Sequence, residues 1–263
     1  MTTPKGNRLV GVDAKLGRAR EHLDALKAEL RSIYDDPKTV RLDQRSDWEF
    51  RLIADFPDLF HAATVAGDAV QNLRSALDHL IWALVARNAS PGRHTQFPII
   101  QKRRDFLIRA FRGTKQSKPY LMGLAPRSYA VRLIVAAQPY RSSDPGHHML
   151  ALLAHLSNLD KHQTLYTPIH LLDPKEVREA IGWNPLAILT GLGAIASNSP
   201  IEGQTELVWI TFDPAGPPGN VHMKRRFSVT PTFGVTMNVS YRVLADIHAY
   251  VAAYVGEFRK LFT

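Results

Sequence analysis

No cysteine occurs among the 263 residues. That excludes disulfide bridges, thiolate nucleophiles and cysteine-ligated zinc, and it accords with a reducing compartment. Long apolar runs are also missing. The most apolar stretch, PLAILTGLGAIA at residues 185–196, is shorter than the roughly 20 residues a bilayer-crossing helix needs, and glycines interrupt it. The opening MTTPKGNRLVGVDAKLG has no apolar run of signal-peptide length. The expectation is a soluble, cytoplasmic protein with no membrane partner.

Several catalytic signatures are absent. There is no G-x-x-x-x-G-K-[ST] loop for nucleotide phosphates and no G-x-S-x-G nucleophile elbow. GLGAIAS at 191–197 has the glycines of a dinucleotide turn but no strand-turn-helix unit around it and no acid downstream. No His-x-x-x-His pair occurs. His148, His155 and His162 recur at intervals of seven, which on a helix separates neighbours by about 10.5 Å, too far to share an ion at about 2.0–2.1 Å. Neither a metal nor an organic cofactor is expected.

What is present is a basic balance. Lys and Arg number 33 against 24 Asp and Glu, for a formal charge of +9. Much of the excess is local: Lys102, Arg103, Arg104, Arg109, Arg112, Lys115 and Lys118 face the single acid Asp105 within residues 102–118. Such a patch attracts polyanions and speeds their encounter. Lys102, Arg103, Arg104, Arg109 and Arg112 are therefore candidate nucleic-acid contacts. A solvated loop and helix face is the plainer reading of the same charges.

Hydrophobic spacing gives the organisation. Residues 11–34 carry Leu16, Leu23, Leu26, Leu30 and Ile33 on one helical stripe. TVRLD and WEFRLIADF about QRS predict a hairpin over about 38–56, and TELVWITFD with VHMKRRFSVT about PAGPPG predicts another over about 204–230. Helices are expected at about 61–87, 102–112, PRSYAVRLIVAAQPY (closed by Pro139), 147–162 and from Asn238 or Ser240 to the end. TLYTPIHLL predicts an edge strand, and residues 173–203 fit helix and strand equally. Helices and hairpins interleave without βαβ regularity. The expected fold class is α+β: a single domain over 1–263, a helical bundle with long N- and C-terminal helices packed against a small antiparallel sheet.

Two of these helices carry polar residues that packing does not require. On the 61–87 helix, Leu73, Leu77, Leu80 and Leu84 form the core sector, while Asp68, Asn72, Ser75 and His79 line another flank at spacings of four, three and four. Arg74 borders the apolar sector, with Asp78 four residues on and able to pair with it. On the 147–162 helix, His148, His155 and His162 share a face with Asn158, and Asp160 and Lys161 adjoin His162. A solvated face would normally carry Lys and Glu; a seam of buried polar residues between helices is the structural alternative.

Arg74 with His79 after four intervening residues, on a leucine-packed helix, resembles the R-x4-6-H signature of the HEPN superfamily, helical-bundle proteins many of which are metal-independent ribonucleases. The blocks GDAVQNLRSALDHL and LSNLDKH resemble a family of uncharacterised bacterial proteins carrying both. Ser75 departs from the Asn, Asp or His that often follows the HEPN arginine. The resemblance implies a helical core over about 57–165, with His79 taking the proton of a ribose 2′-hydroxyl and Arg74 holding the attacked phosphate. Asp78 would orient His79 or tether Arg74, with Asp68, Asn72, Ser75, His155, Asn158, Asp160, Lys161 and His162 in support. It further implies RNA as partner, a homodimer that joins two motifs across one cleft, and a defence or toxin setting. Two other readings stay open: a scaffold in which Arg74, Asp78 and the His162 region form a buried polar network, and a small-molecule binder or hydrolase with its cleft between the two polar helices. The readings divide on whether Arg74 and His79 emerge together on a basic cleft.

Overall fold

The computed structural model describes residues 9–36, 38–57, 59–162, 179, 181–184, 186–194, 203–216, 218–224, 232–233 and 239–262. The fold is α+β, with long helices towards both ends of the chain and a small antiparallel sheet. Packing divides the chain into two compact units. The first takes the described parts of Met1–Asp24, Val65–Thr164 and Arg242–Thr263; the second takes those of Ala25–Thr64 and Leu165–Tyr241.

The first unit is helical. Its elements come from α1 (Val10–Asp35), α2 (Phe60–Val85), α3 (Arg103–Leu107), α4 (Tyr129–Ala136), α5 (Met149–His162) and α6 (Tyr241–Phe258). α1 and α2 each run on into the second unit. Leu73, Leu77, Leu80 and Leu84 of α2 are buried, as are Leu150, Leu153 and Leu156 of α5 and Leu244, Ile247, Val251 and Val255 of α6. These are the sectors that helical spacing selects, because apolar burial is the largest favourable contribution to folding. α4 starts where Ser128 accepts a hydrogen bond from the Val131 amide at 3.3 Å, and it ends before Pro139.

α3 passes directly into one π-helical turn, Ile108–Arg112. Phe106 and Ala110 anchor this run in the core, and Phe106 meets Phe111 and Tyr140 edge-on. Gly113 stops it. Its φ of 76° is one that L side chains rarely adopt, and a Cβ there would lie 2.7 Å from the Ser117 carbonyl oxygen.

The second unit holds the sheet, in the order β1 (Val40–Gln44), β2 (Glu49–Phe56), β5 (Gly203–Phe212), β4 (Leu189–Ala194). β1 and β2 form the first expected hairpin, pairing Val40 with Ala54 and Gln44 with Phe50. The second expected hairpin, over about 204–230, does not form among the described residues. β5 pairs with β2 along one edge and β4 along the other, and a strand has only two edges. His222–Met223 (β6) pairs instead with Ile181–Gly182 (β3), and β7 (Thr232–Phe233) pairs with β8 (Val239–Ser240). The core of this unit is Phe50, Leu52, Ala54, Ile181, Leu207, Val208, Ile210 and Phe212. The region 173–203, ambiguous in sequence, contributes β3 and β4. The expected strand TLYTPIHLL and the candidate cap Asn238 lie outside the described residues. No helix among the described residues is long and apolar enough to cross a membrane.

Candidate functional site

Arg74 and Asp78 stand one turn apart on α2, and both reach the backbone of one residue. The Arg74 guanidinium donates to the Phe97 carbonyl at 2.8 Å, and the Asp78 carboxylate accepts from the Phe97 amide at 2.8 Å. The two side chains also pair with each other at 3.2 Å, with Arg74 only 16% exposed. Phe97 is fully buried, with its ring edge-on to Tyr254 at 5.6 Å. The segment after it crosses the core without a strand to pair with, so side chains must satisfy its polar groups. Buried Gln138 continues the task, donating to Pro98 O at 2.8 Å and accepting from Ile100 N at 3.1 Å. Burial pushes the Asp78 carboxyl above its ordinary range, while Arg74 and the Phe97 amide pull it back.

His79 has a different neighbour. Five residues advance a helix by about 500°, so its side chain leaves α2 some 140° around the axis from Arg74. The ring is exposed and lies against Gly11 of α1, where a Cβ would come within 2.6 Å of its Nδ1. One turn along α1, Lys15 donates to Asn72 at 3.2 Å. Asn72 in turn donates to the Asp68 carbonyl oxygen at 2.8 Å. Asn72 and His79 of the polar stripe thus belong to a seam with α1, while Asp68 is exposed and Ser75 half-buried. Arg74 and His79 are not brought to one shared opening.

The second polar helix meets α2 on yet another side. Gln71 donates to Asp160 at 2.9 Å and to the Ser157 carbonyl at 3.0 Å, and the Ser157 hydroxyl donates back to Gln71 at 3.2 Å. Gly67, one turn before Gln71, makes room: a Cβ there would fall 2.0 Å from the Asp160 Oδ1. The segments GDAVQNLRSALDHL and LSNLDKH therefore meet as a helix crossing. His148 precedes α5, accepting from the Leu150 amide at 3.2 Å and standing 3.5 Å from the Tyr250 hydroxyl. Burial lowers its pKa. His155 is half-buried, Asn158 and Lys161 are exposed, and the His162 side chain lies outside what the structure describes. Among the described residues no group of three or more His, Asp or Glu could hold a metal ion.

The basic segment behaves differently from all of these. Lys102, Arg103, Arg104, Arg109 and Arg112 are exposed on the α3–π run, and Lys115 and Lys118 on the turn after it. None of the seven makes an ion pair among the described residues. The sequence located this surface. It did not single out Phe97, Gln138 or Gly11, because what a side chain does to a distant backbone leaves no local pattern. Gly67 did leave one: a glycine inside an otherwise helical pattern costs about 1 kcal/mol relative to alanine, which signals a close approach.

Comparison with family models, with curated proteins and with solved structures finds no match to the chain in any of the three.

Proposed function

We propose that the protein binds RNA through Lys102, Arg103, Arg104, Arg109 and Arg112, and that Arg74 and Asp78 serve the fold. The observation that carries this reading is a run of five exposed cations on one core-anchored helical segment, without a carboxylate partner among the described residues. Cations left unpaired in water keep their full attraction for phosphates, and each phosphate they neutralise releases counterions. The resemblance of Arg74 and His79 to the HEPN signature favours RNA over DNA as the polyanion. It does not by itself supply cleavage, since the Arg74 guanidinium is engaged by Phe97 and Asp78. A scaffold role for that couple has its own support in the clamp on residues 97–100.

The test is labelled RNA with purified protein in EDTA, read for both binding and cleavage. Binding is expected without cleavage, with log affinity falling against log salt at a slope of about −3.5 if five contacts are made to a single strand. A flat salt response contradicts the proposal, and tighter binding to single-stranded DNA of the same sequence contradicts RNA as the ligand. Cleavage lost in His79→Ala would replace the binding-only reading with metal-independent ribonuclease chemistry.

A further inference from the structure

A cavity of about 550 Å³ lies between two loops of the helical unit, lined by residues drawn from the segments 90–95 and 112–122. Arg93, His94, Arg112, Lys115 and Lys118 line it, and no Asp or Glu does. Both loops are closed on themselves by hydrogen bonds. In the first, Thr95 N donates to Gly92 O at 2.8 Å and Gly92 N to the Thr95 hydroxyl at 3.0 Å, which holds the turn carrying Arg93 and His94. In the second, Thr114 N donates to Ser117 O at 2.8 Å, while the Thr114 hydroxyl accepts from the amides of Gln116 and Ser117 at 3.2 and 3.1 Å. That turn carries Lys115 and leads to Lys118. The Arg93 Nε donates to His94 Nε2 at 3.1 Å, which orients the imidazole beside the guanidinium. Arg93, Lys115 and Lys118 have no ion-pair partner among the described residues.

We infer that this cavity binds a phosphate monoester, carried by a free nucleotide or by the phosphorylated end of a nucleic-acid strand. Four cations and an imidazole around one space, with no acid, favour the ligand of greatest local charge. A monoester carries about −1.5 to −2 at neutral pH and presents three terminal oxygens, whereas an internal diester carries a single charge. The volume lies within the roughly 300–1,000 Å³ of small-molecule sites, the size range of a site for a nucleotide. The inference does not rest on RNA binding, since of the five helix cations only Arg112 lines the cavity.

The experiment measures binding of inorganic phosphate, 5′-AMP and adenosine at constant ionic strength, and of one oligoribonucleotide with a 5′-phosphate or a 5′-hydroxyl. Phosphate and 5′-AMP are expected to bind and adenosine not. Exposed Arg93 and half-buried His94 are then changed together in Arg93→Ala/His94→Ala, which is expected to abolish 5′-AMP binding. If the strand end is the natural ligand, the 5′-phosphate raises RNA affinity by about tenfold, and the double variant removes that gain. If the free nucleotide is, 5′-AMP binds while the two oligonucleotides bind alike. Failure of both phosphate and 5′-AMP to bind, or binding that survives the double variant, overturns the inference. RNA binding that persists beside that failure leaves the proposed function standing. 5′-AMP binding without any RNA binding does the reverse.

Discussion

Two arginine-rich surfaces of this protein follow opposite rules. On the β1–β2 hairpin, each arginine has a carboxylate: Arg41 and Arg45 reach Asp43 at 3.6 and 3.3 Å, Arg45 reaches Glu206 at 3.1 Å, and Arg51 pairs with Glu49. On the α3–π run, Arg103, Arg104, Arg109 and Arg112 have none among the described residues. The net charge of the chain does not distinguish these places, although they differ in what they can do. A paired arginine has already exchanged much of its attraction for a ligand against a local partner. Where arginines stand without acids, an external anion completes the arrangement. Arg74 is the extreme of the first kind, with a carboxylate and a backbone carbonyl both engaged.

Three experiments press on that contrast, from the largest expected effect to the smallest. Arg74→Ala orphans the Phe97 carbonyl and deprives Asp78 of its cation, so urea denaturation should show a loss of about 2–3 kcal/mol. RNA affinity of the folded variant should stay unchanged. Loss of RNA binding at full stability would move Arg74 into the binding surface and break the comparison.

Acid should create an unpaired cation where none stood. His248 is 7% exposed and stands 3.2 Å from the Leu16 carbonyl oxygen. Burial holds its pKa below the ordinary value of 6.5. A base whose folded pKa is depressed contributes stability above its unfolded pKa and loses it as pH falls through the folded value. Stability should therefore decline as pH drops below 6.5, and by less in His248→Gln. An equal decline in both proteins would assign the acid sensitivity elsewhere; His148, lowered in the same direction by burial, is the first alternative.

Glu206→Gln converts Arg45 and Arg51 towards the unpaired kind. Exposed pairs contribute little, so stability should change by less than about 0.5 kcal/mol. Low-salt RNA affinity should rise by about two- to threefold, because more positive charge is left uncompensated. An unchanged affinity would mean that pairing is not what separates the two surfaces.

The α+β class, the β1–β2 hairpin and the long helices were legible because each follows from local periodicity. Leu73, Leu77, Leu80 and Leu84 repeat at helical spacing and are all buried. The second hairpin misled because two strand-like runs about PAGPPG fit a hairpin locally, while strand pairing is decided by the whole sheet. Leu52/Ile53 and Leu189/Gly191 mark register shifts where β5 accommodates a different neighbour on each side. At the site, the spacing of Arg74 and Asp78 correctly indicated a pair. It could not reveal Phe97 as their shared target 19 and 23 residues away. For His79 the decisive feature was the missing side chain of Gly11, which is visible only when α1 and α2 lie together.

The most direct measurement is RNA affinity as a function of salt for wild type and for the combined Arg103→Ala, Arg104→Ala and Arg109→Ala variant, with stability checked in parallel. These residues are exposed, so the variant should fold with stability within about 0.5 kcal/mol of wild type. The account predicts a salt slope shallower by about two units, as three phosphate contacts to a single strand imply, and a large loss of affinity at low salt. A variant that folds and binds RNA with the wild-type affinity and slope would contradict it.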